Sequence, residues 1–424
     1  MAKGTVALGF SLFAGTVPAR AVAGTRTSTM FLAVGAWSHL GGEQGLWLYE
    51  FDPRTGDLKL KTAVADDISV GDFFVTPKND ALYVVDSKAD LPGETGGGGR
   101  VISFAIDADS GELTQICAAR TYAAMPSMPA VDGTGRYLMV SNHGTSAPVT
   151  KSEKGRDGTW HVTTDYGDST TALFPVDENR VIGQPYDMYK HHGSGPNANQ
   201  ANAHPHCCVP DPSGNLFAVC DKGSDRISFF RIDRDRNELI RTSEHARPSG
   251  SAPRYCTFHP HKPYFFMNNE AVNEVCAFTY DTEGNLTPVN TVEPVPGRWL
   301  KSRIPEGGKF EQQDLKLNAS GTRLYAITRG ASDNTSGFEC ITTFMVDQES
   351  GRLTRLQILN LDCTWPRGCD ISPDGQYLVV ACISSEELLV LKIRENGTLQ
   401  DTGKRTPQPT AAACIFYELP HHSH

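Results

Sequence analysis

Six short turn phrases, centred on Asn79, Gly135, Gly214, Lys262, Gly321 and Gly375, have chemically capable side chains eight residues away on either side. Counting back gives Gly71, Ser127, His206, Arg254, Gln313 and Arg367; counting forward gives Ser87, His143, Lys222, Glu270, Arg329 and Ile383. Hydrolysis of an ester or lactone builds negative charge on a carbonyl oxygen, and a guanidinium fork stabilises that charge or grips a carboxylate or phosphate. Arg254 and Arg329 are the candidates for this role, and Glu270 or His206 for taking a proton from water or handing one to a leaving group. The sequence has no G-x-S-x-G elbow, which argues against a serine nucleophile. His204 and His206 in HPH sit at alternate strand positions, but no third ligand stands at metal spacing, so the reading expects no metal and no cofactor.

These residues converge only if the elements carrying them are hairpins of one kind. An apolar strand, an acid or turn, then Gly-x-Leu or a variant recurs seven times, ending at Leu58, Leu113, Ile182, Leu239, Leu286, Leu353 and Leu399. Each copy alternates apolar and polar residues as a half-buried strand does. A second phrase of two short strands about a tight turn, as in VPDPSGNLFAVCDKG and ISPDGQYLVVACIS, precedes six of the copies. Two hairpins per repeat make a four-stranded sheet, and seven such sheets predict an all-β, seven-bladed β-propeller of four-stranded antiparallel blades. The first repeat has only Phe31 to Gly35 before its outer hairpin, and Ala411 to Glu418 reads as the missing inner strand, so the N- and C-terminal strands close the ring. An open solenoid of seven repeats is the competing architecture. The stretch from Thr145 to Tyr166 reads as a loop inside the third blade.

The strands of an inner hairpin run antiparallel, so residues before the first and after the second meet at one end of the ring, near its axis. Three arginines, a lysine, two histidines and a glutamate would gather there. Water-filled propeller axes also carry polar residues without function, but several cations in one pocket repel unless Glu270 or a ligand anion offsets them.

Composition agrees with a turn-rich globular chain: of 424 residues, 39% are hydrophobic and 21% charged, with 40 Gly and 26 Pro. The net charge of -10 argues against nucleic acid as a partner. No stretch reaches the run of about 20 apolar residues of a membrane span, so no membrane partner is expected. Eleven cysteines include no CxxC pair, and Cys207 and Cys208 read as strand residues. The organisation is then an N-terminal extension over residues 1–29, a single propeller over 30–419 and a His-rich tail over 420–424. Lys3, the mildly apolar Val6 to Val17 and the A-x-A pattern at Ala19, Ala21 and Ala23 resemble a secretory signal. Met30 is the alternative start, so a periplasmic or secreted location and a cytoplasmic one both stay open.

HHGSGPNANQANAHPH (191–206), DPSGNLFAVCDKGSDRI from Asp211, GSAPRYCTFHP from Gly250, the NNE ending at Glu270, the TRG at 328–330 and WPRGCDISPDG from Trp365 form an ordered series. In this series the chain resembles the lactonase family of seven-bladed propellers, which contains bacterial 6-phosphogluconolactonases and fungal 3-carboxy-cis,cis-muconate cycloisomerases. The resemblance implies a catalytic centre of His206, Arg254, Glu270 and Arg329, without a required metal. It extends to substrate-binding roles for His143, His192, Gln200, His204, Lys222, Gln313 and Arg367. Asn199, Asp86-Ser87 and Asn142-His143 depart from the family pattern at the mouth, where changes alter the choice of substrate rather than the reaction. The leading reading is metal-independent hydrolysis of a sugar lactone, 6-phosphogluconolactonase-like, with a small anionic or sugar-like lactone as partner. Lactonising cycloisomerisation of a carboxymuconate-like diacid and a non-catalytic ligand-binding propeller are the alternatives.

Overall fold

The computed structural model describes residues 29–38, 44–91, 93–94, 96–299, 309–330 and 339–419. The N-terminal extension apart from Thr29, with it the whole secretory-signal reading, and the His-rich tail therefore lie outside the described residues. The repeated phrases form seven antiparallel four-stranded sheets among the described residues. Blade I joins Met30–Ala36, Gly45–Asp52 and Asp57–Ala65 to the C-terminal strand Ala411–Glu418. Blades II to VII follow in chain order, with inner strands Val70–Val75, Pro126–Val131, Pro205–Pro210, Pro253–Phe258, Phe310–Leu317 and Pro366–Ile371. Each inner strand touches those of both neighbouring blades, and the circuit returns to Ala411–Glu418. The ring is closed, which overturns the solenoid alternative: Met30 pairs with Glu418 and Ala36 with Ala411.

Why the Gly-x-Leu phrase recurs is visible where blades meet. In blade II, Gly111 lies at φ 71°, and a Cβ there would fall 2.3 Å from the Phe31 ring of blade I. Gly284 of blade V stands in the same relation to Phe229 of blade IV, and Gly351 of blade VI to Tyr264 of blade V. The glycine thus turns the outer hairpin in the left-handed region and lets the turn rest on an aromatic ring of the preceding blade. The contact is sealed at blade II by the Tyr417 hydroxyl, which donates to the Gly111 carbonyl at 2.6 Å. Between blades the apolar faces merge into continuous clusters, such as the one holding Phe229, Phe258, Phe265 and Phe278 of blades IV and V.

One sequence expectation needs correction. Residues 145–166 are not a plain loop: Val149–Lys154 and Trp160–Asp165 pair in register as an exposed hairpin. Its strands hold Val149, Thr150, Val162, Thr163 and Thr164, whose branched side chains favour extended backbone. Its tip turns at Gly158, with φ 86°. The insertion leaves blade III after Asn142 and rejoins it at Thr170, so it stands at the site-bearing end of the ring.

Gly111→Ala is expected to lower unfolding stability by about 2 kcal/mol more than Gly375→Ala. Both glycines have positive φ, but nothing lies within 4 Å of a Cβ at Gly375. Equal losses in urea titration of the two variants would refute the role of the inter-blade contact.

Candidate active site

The side chains at the mouth are aimed by a backbone irregularity that repeats around the ring. In the inner strands of blades II to VII the pairing register shifts at one point: between Val70 and Phe73, Pro126 and Met128, Pro205 and Cys207, Pro253 and Cys256, Gln312 and Leu315, and Pro366 and Gly368. The extra residues include Gly71, Ser127, His206, Arg254, Gln313 and Arg367, the set reached by counting back from each turn. A bulge turns its extra residue out of the alternating pattern. Prolines 126, 205, 253 and 366 open four of these strands, a position where a missing N–H is tolerated.

The second set is held by a shared backbone bond. The N–H groups of Ser87, His143, Lys222, Glu270 and Ile383 donate to the carbonyls of Ser69, Met125, His204, Ala252 and Trp365. Arg329 instead faces Glu311 in the strand register. Around Lys222 the loop is fixed by buried Asp221, whose carboxylate accepts from the N–H groups of His204, Gly223 and Ser224.

These residues enclose a cavity of about 320 Å³ at the mouth. Its wall includes His143, His206, Lys222, Arg254, Glu270, Arg329 and Arg367. Glu270 is its electrostatic centre. Lys222 Nζ donates to both carboxylate oxygens, at 2.8 and 3.1 Å, and Arg254 Nε lies 2.8 Å from Oε2. Burial pushes the Glu270 carboxyl up, yet the charges of Lys222 and Arg254 outweigh it and hold the group below the usual range. Arg329 donates to Glu311 at 2.7 Å and lies over the Trp365 ring, 4.1 Å from its centroid. Burial draws Arg329 down to about 10, which leaves it charged at neutral pH. Arg367 donates to the carbonyls of Gly71 and Ala412 and covers Trp37.

The cavity holds unused hydrogen-bonding capacity. Arg254 Nε and Nη1 and Arg329 Nη1 are buried with no acceptor among the described residues, the Arg254–Glu270 approach lacking hydrogen-bond alignment. Orphaned buried donors are costly, and a ligand acceptor would relieve them. His206 Nδ1 is also buried without a hydrogen-bond partner among the described residues. Burial, followed by the charges of Arg254 and Lys222, keeps the His206 imidazole neutral, with its pKa well below the ordinary value. Lys222, Arg254, Arg329 and Arg367 against Glu270 and Glu311 make four cations and two carboxylates, an excess of two positive charges. Such a wall can bind an anion, stabilise an oxyanion and pass a proton through a neutral imidazole.

Four of the residues expected to bind substrate do not line this cavity. The bulge at His206 breaks the strand alternation that would have put His204 beside it. His204 is buried behind the wall, stacked on His143 at 4.3 Å, with Nδ1 on the His143 carbonyl and Nε2 on the Ser146 hydroxyl. Gln200 is a buried brace that donates to the Lys222 carbonyl and to Asp225. Gln313 is buried and donates to Glu311. His192 is exposed outside the lining, while its neighbour His191 is the buried one. Asn199 lines the cavity, as do Trp37, Met125, Trp365 and Glu311, which the turn count did not reach. Glu311 had a legible signal, being the cross-strand partner of Arg329. The tryptophans follow from no spacing rule, because they sit in connections beyond strand ends. Cys207 and Cys208 are buried strand residues, as read from the sequence, and Cys207 Sγ lies 3.5 Å from Cys256 Sγ.

A family model described as "Lactonase, 7-bladed beta-propeller" matches residues 21–154 and 145–416. The chain is similar to the 6-phosphogluconolactonase of Bacillus subtilis, 25% identical over 377 residues that span 89% of this chain and 93% of that protein. It is also similar to the 6-phosphogluconolactonase of Formosa agariphila, 24% identical over 87% of this chain and 94% of the relative. Among solved structures, the periplasmic gluconolactonase of Pseudomonas aeruginosa superposes with a TM-score of 0.78 at 25% identity, over 93% of this chain and 100% of that one. With the family model spanning nearly the whole ring that builds this cavity, the chain belongs to the lactonase family of seven-bladed β-propellers.

Proposed function

We propose that this protein is an enzyme that hydrolyses a sugar lactone in the cavity at the mouth of the ring. The observation that carries the reading is the set of buried arginine N–H groups on Arg254 and Arg329 that lack a hydrogen-bond acceptor among the described residues. They point to an oxygen that gains charge during reaction. Relatives named 6-phosphogluconolactonase and gluconolactonase support the same chemistry.

In this reading the ring carbonyl oxygen sits against Arg254 and Arg329, which polarise it and receive the developing oxyanion. His206, neutral at rest, takes the proton of the attacking water and returns it to the leaving ring oxygen. Burial, and then repulsion from Arg254 and Lys222, makes imidazolium unfavourable in the resting site. The oxyanion forming nearby offsets that repulsion only in the transition state, so proton transfer is favoured when it is needed. Glu270 holds Lys222 and Arg254 in position and compensates their charge. Glu311 does the same for Arg329. Lys222 and Arg367 supply the rest of the cationic wall, and the excess of positive charge favours a lactone bearing an acid group such as a phosphate.

The deciding experiment is turnover of the purified full chain on gluconolactone and 6-phosphogluconolactone, with EDTA present and spontaneous hydrolysis subtracted. Arg254→Ala is expected to lower kcat about 10²–10³-fold on either substrate, the range for loss of one oxyanion donor. Absence of turnover above the spontaneous rate would refute the reading. The active forms are neutral His206 and ionised Glu270, and both groups have their pKa moved down. Activity is therefore present above those values and lost as the pH falls through them. A kcat/KM profile flat through neutrality, with its acid limb below the ordinary histidine value of about 6.5, is expected. A limb at or above that value would remove His206 from the proposed role.

A further inference from the structure

A second cavity of about 390 Å³ adjoins the charged one and shares Ser87, Met125 and His143 with it. Its remaining wall comes from Ala89 and from Gly144, Thr145, Ser146 and Ala147, the first residues of the inserted segment. The chemistry changes abruptly across the shared residues. The charged cavity has six ionised side chains in its wall, and the second has no Lys, Arg, Asp or Glu. Alanine and methionine side chains and the short Thr145–Ala147 segment face it instead.

This second wall is built rigidly. Gly144 takes φ 72°, and a Cβ there would meet Ser169 Oγ at 2.3 Å, so the chain leaves the blade at a glycine that cannot be replaced without displacement. The N–H groups of His143 and Gly144 donate to the carbonyls of Met125 and Ala124. Ser146 Oγ bonds His204 Nε2 at 3.0 Å, and Asn202 donates to the Thr145 carbonyl at 3.3 Å. Met125 is itself held at φ 54°, a conformation that a side-chain-bearing residue adopts only where surrounding structure enforces it. Buried His204, which does not reach the charged cavity, thus serves as the brace beneath the second one.

We infer that the substrate, besides any acid group held by the cationic wall, carries on its lactone ring an uncharged, largely apolar arm, the ring lying in the charged cavity and the arm passing Met125 and His143 into the cavity under the insertion root. This rests on the lactonase reading and specifies the substrate class for the same site. Two contiguous cavities, one cationic and one apolar, fit one ligand of divided polarity, because an apolar arm gains by leaving water and a charged group would lose its hydration there. The charged cavity alone stands at the lower end of the usual range of about 300–1,000 Å³ for a ligand site, and the second one brings the site well into that range.

The test uses δ-valerolactone and its 5-propyl and 5-pentyl derivatives as substrates, with the matching lactams as unreactive ligands measured by calorimetry. Lactam affinity is expected to rise roughly two- to fourfold per methylene, and kcat/KM of the lactones to rise in parallel. Ala147→Trp places a ring in the second cavity from an exposed position that folding does not depend on. It is expected to abolish the dependence on chain length. Affinity that does not change with chain length, or a chain-length dependence untouched by Ala147→Trp, would overturn the inference. Chain-dependent lactam binding without turnover of any lactone would instead uphold the two-part cavity and refute the hydrolytic reading.

Discussion

The pairing of the C-terminal strand Ala411–Glu418 with Met30–Ala36 is the constraint on which everything else depends. It fixes seven inner strands around one axis, and a ring of fixed number leaves no freedom in where the inner-strand starts meet. A bulge at the same place in each strand then turns one or two residues toward that meeting point. The site is thus made by applying one local device repeatedly, while the side chain presented differs from blade to blade. Closure also covers the apolar sheet faces that the end blades of an open stack would expose.

The cavity built in this way is electrostatically expensive. Buried cations repel one another, and among the described residues of the wall two carboxylates, Glu270 and Glu311, face four of them. Tryptophans 37 and 365 absorb part of the cost by covering Arg367 and Arg329 with their ring faces. Guanidinium hydrogens of Arg254 and Arg329 left without acceptors among the described residues express what remains. The site is therefore organised before any ligand enters, which spares the reaction the reorganisation that water would require.

The hairpin insertion of blade III meets this site at its root rather than its tip. Gly144 to Ala147 complete an apolar wall beside the charged one, anchored through His204 and Asn202. The family resemblance carried in the HPH phrase gives His204 a binding role, whereas its hydrogen bonds make it a support. A neutral imidazole with both nitrogens engaged by a carbonyl and a hydroxyl has no capacity left for a substrate.

The fold was legible because a propeller writes itself as a period: seven Gly-x-Leu turns, alternating strands and complementary leftover strands at the two ends are all local in the chain. His206, Arg254, Glu270 and Arg329 could be placed at one mouth for the same reason, since equal spacing from a hairpin turn becomes equal height in a ring. The lactonase character was carried by the ordered phrases from HHGSGP to WPRGCD. What the spacing could not decide was the direction of each side chain once a bulge breaks the alternation. That is why His204 and Gln313 fell behind the wall and Glu311 came into it, while Gln200 sits on a short helical turn ahead of the strand and braces the wall from there. Trp37, Trp365 and Met125 reach the cavity from loops whose course is set by neighbouring blades, not by their own sequence. Spacing along a strand is a property of the chain, but which groups share a cavity, and at what charge, depends on packing between blades. Only the closed ring decides that.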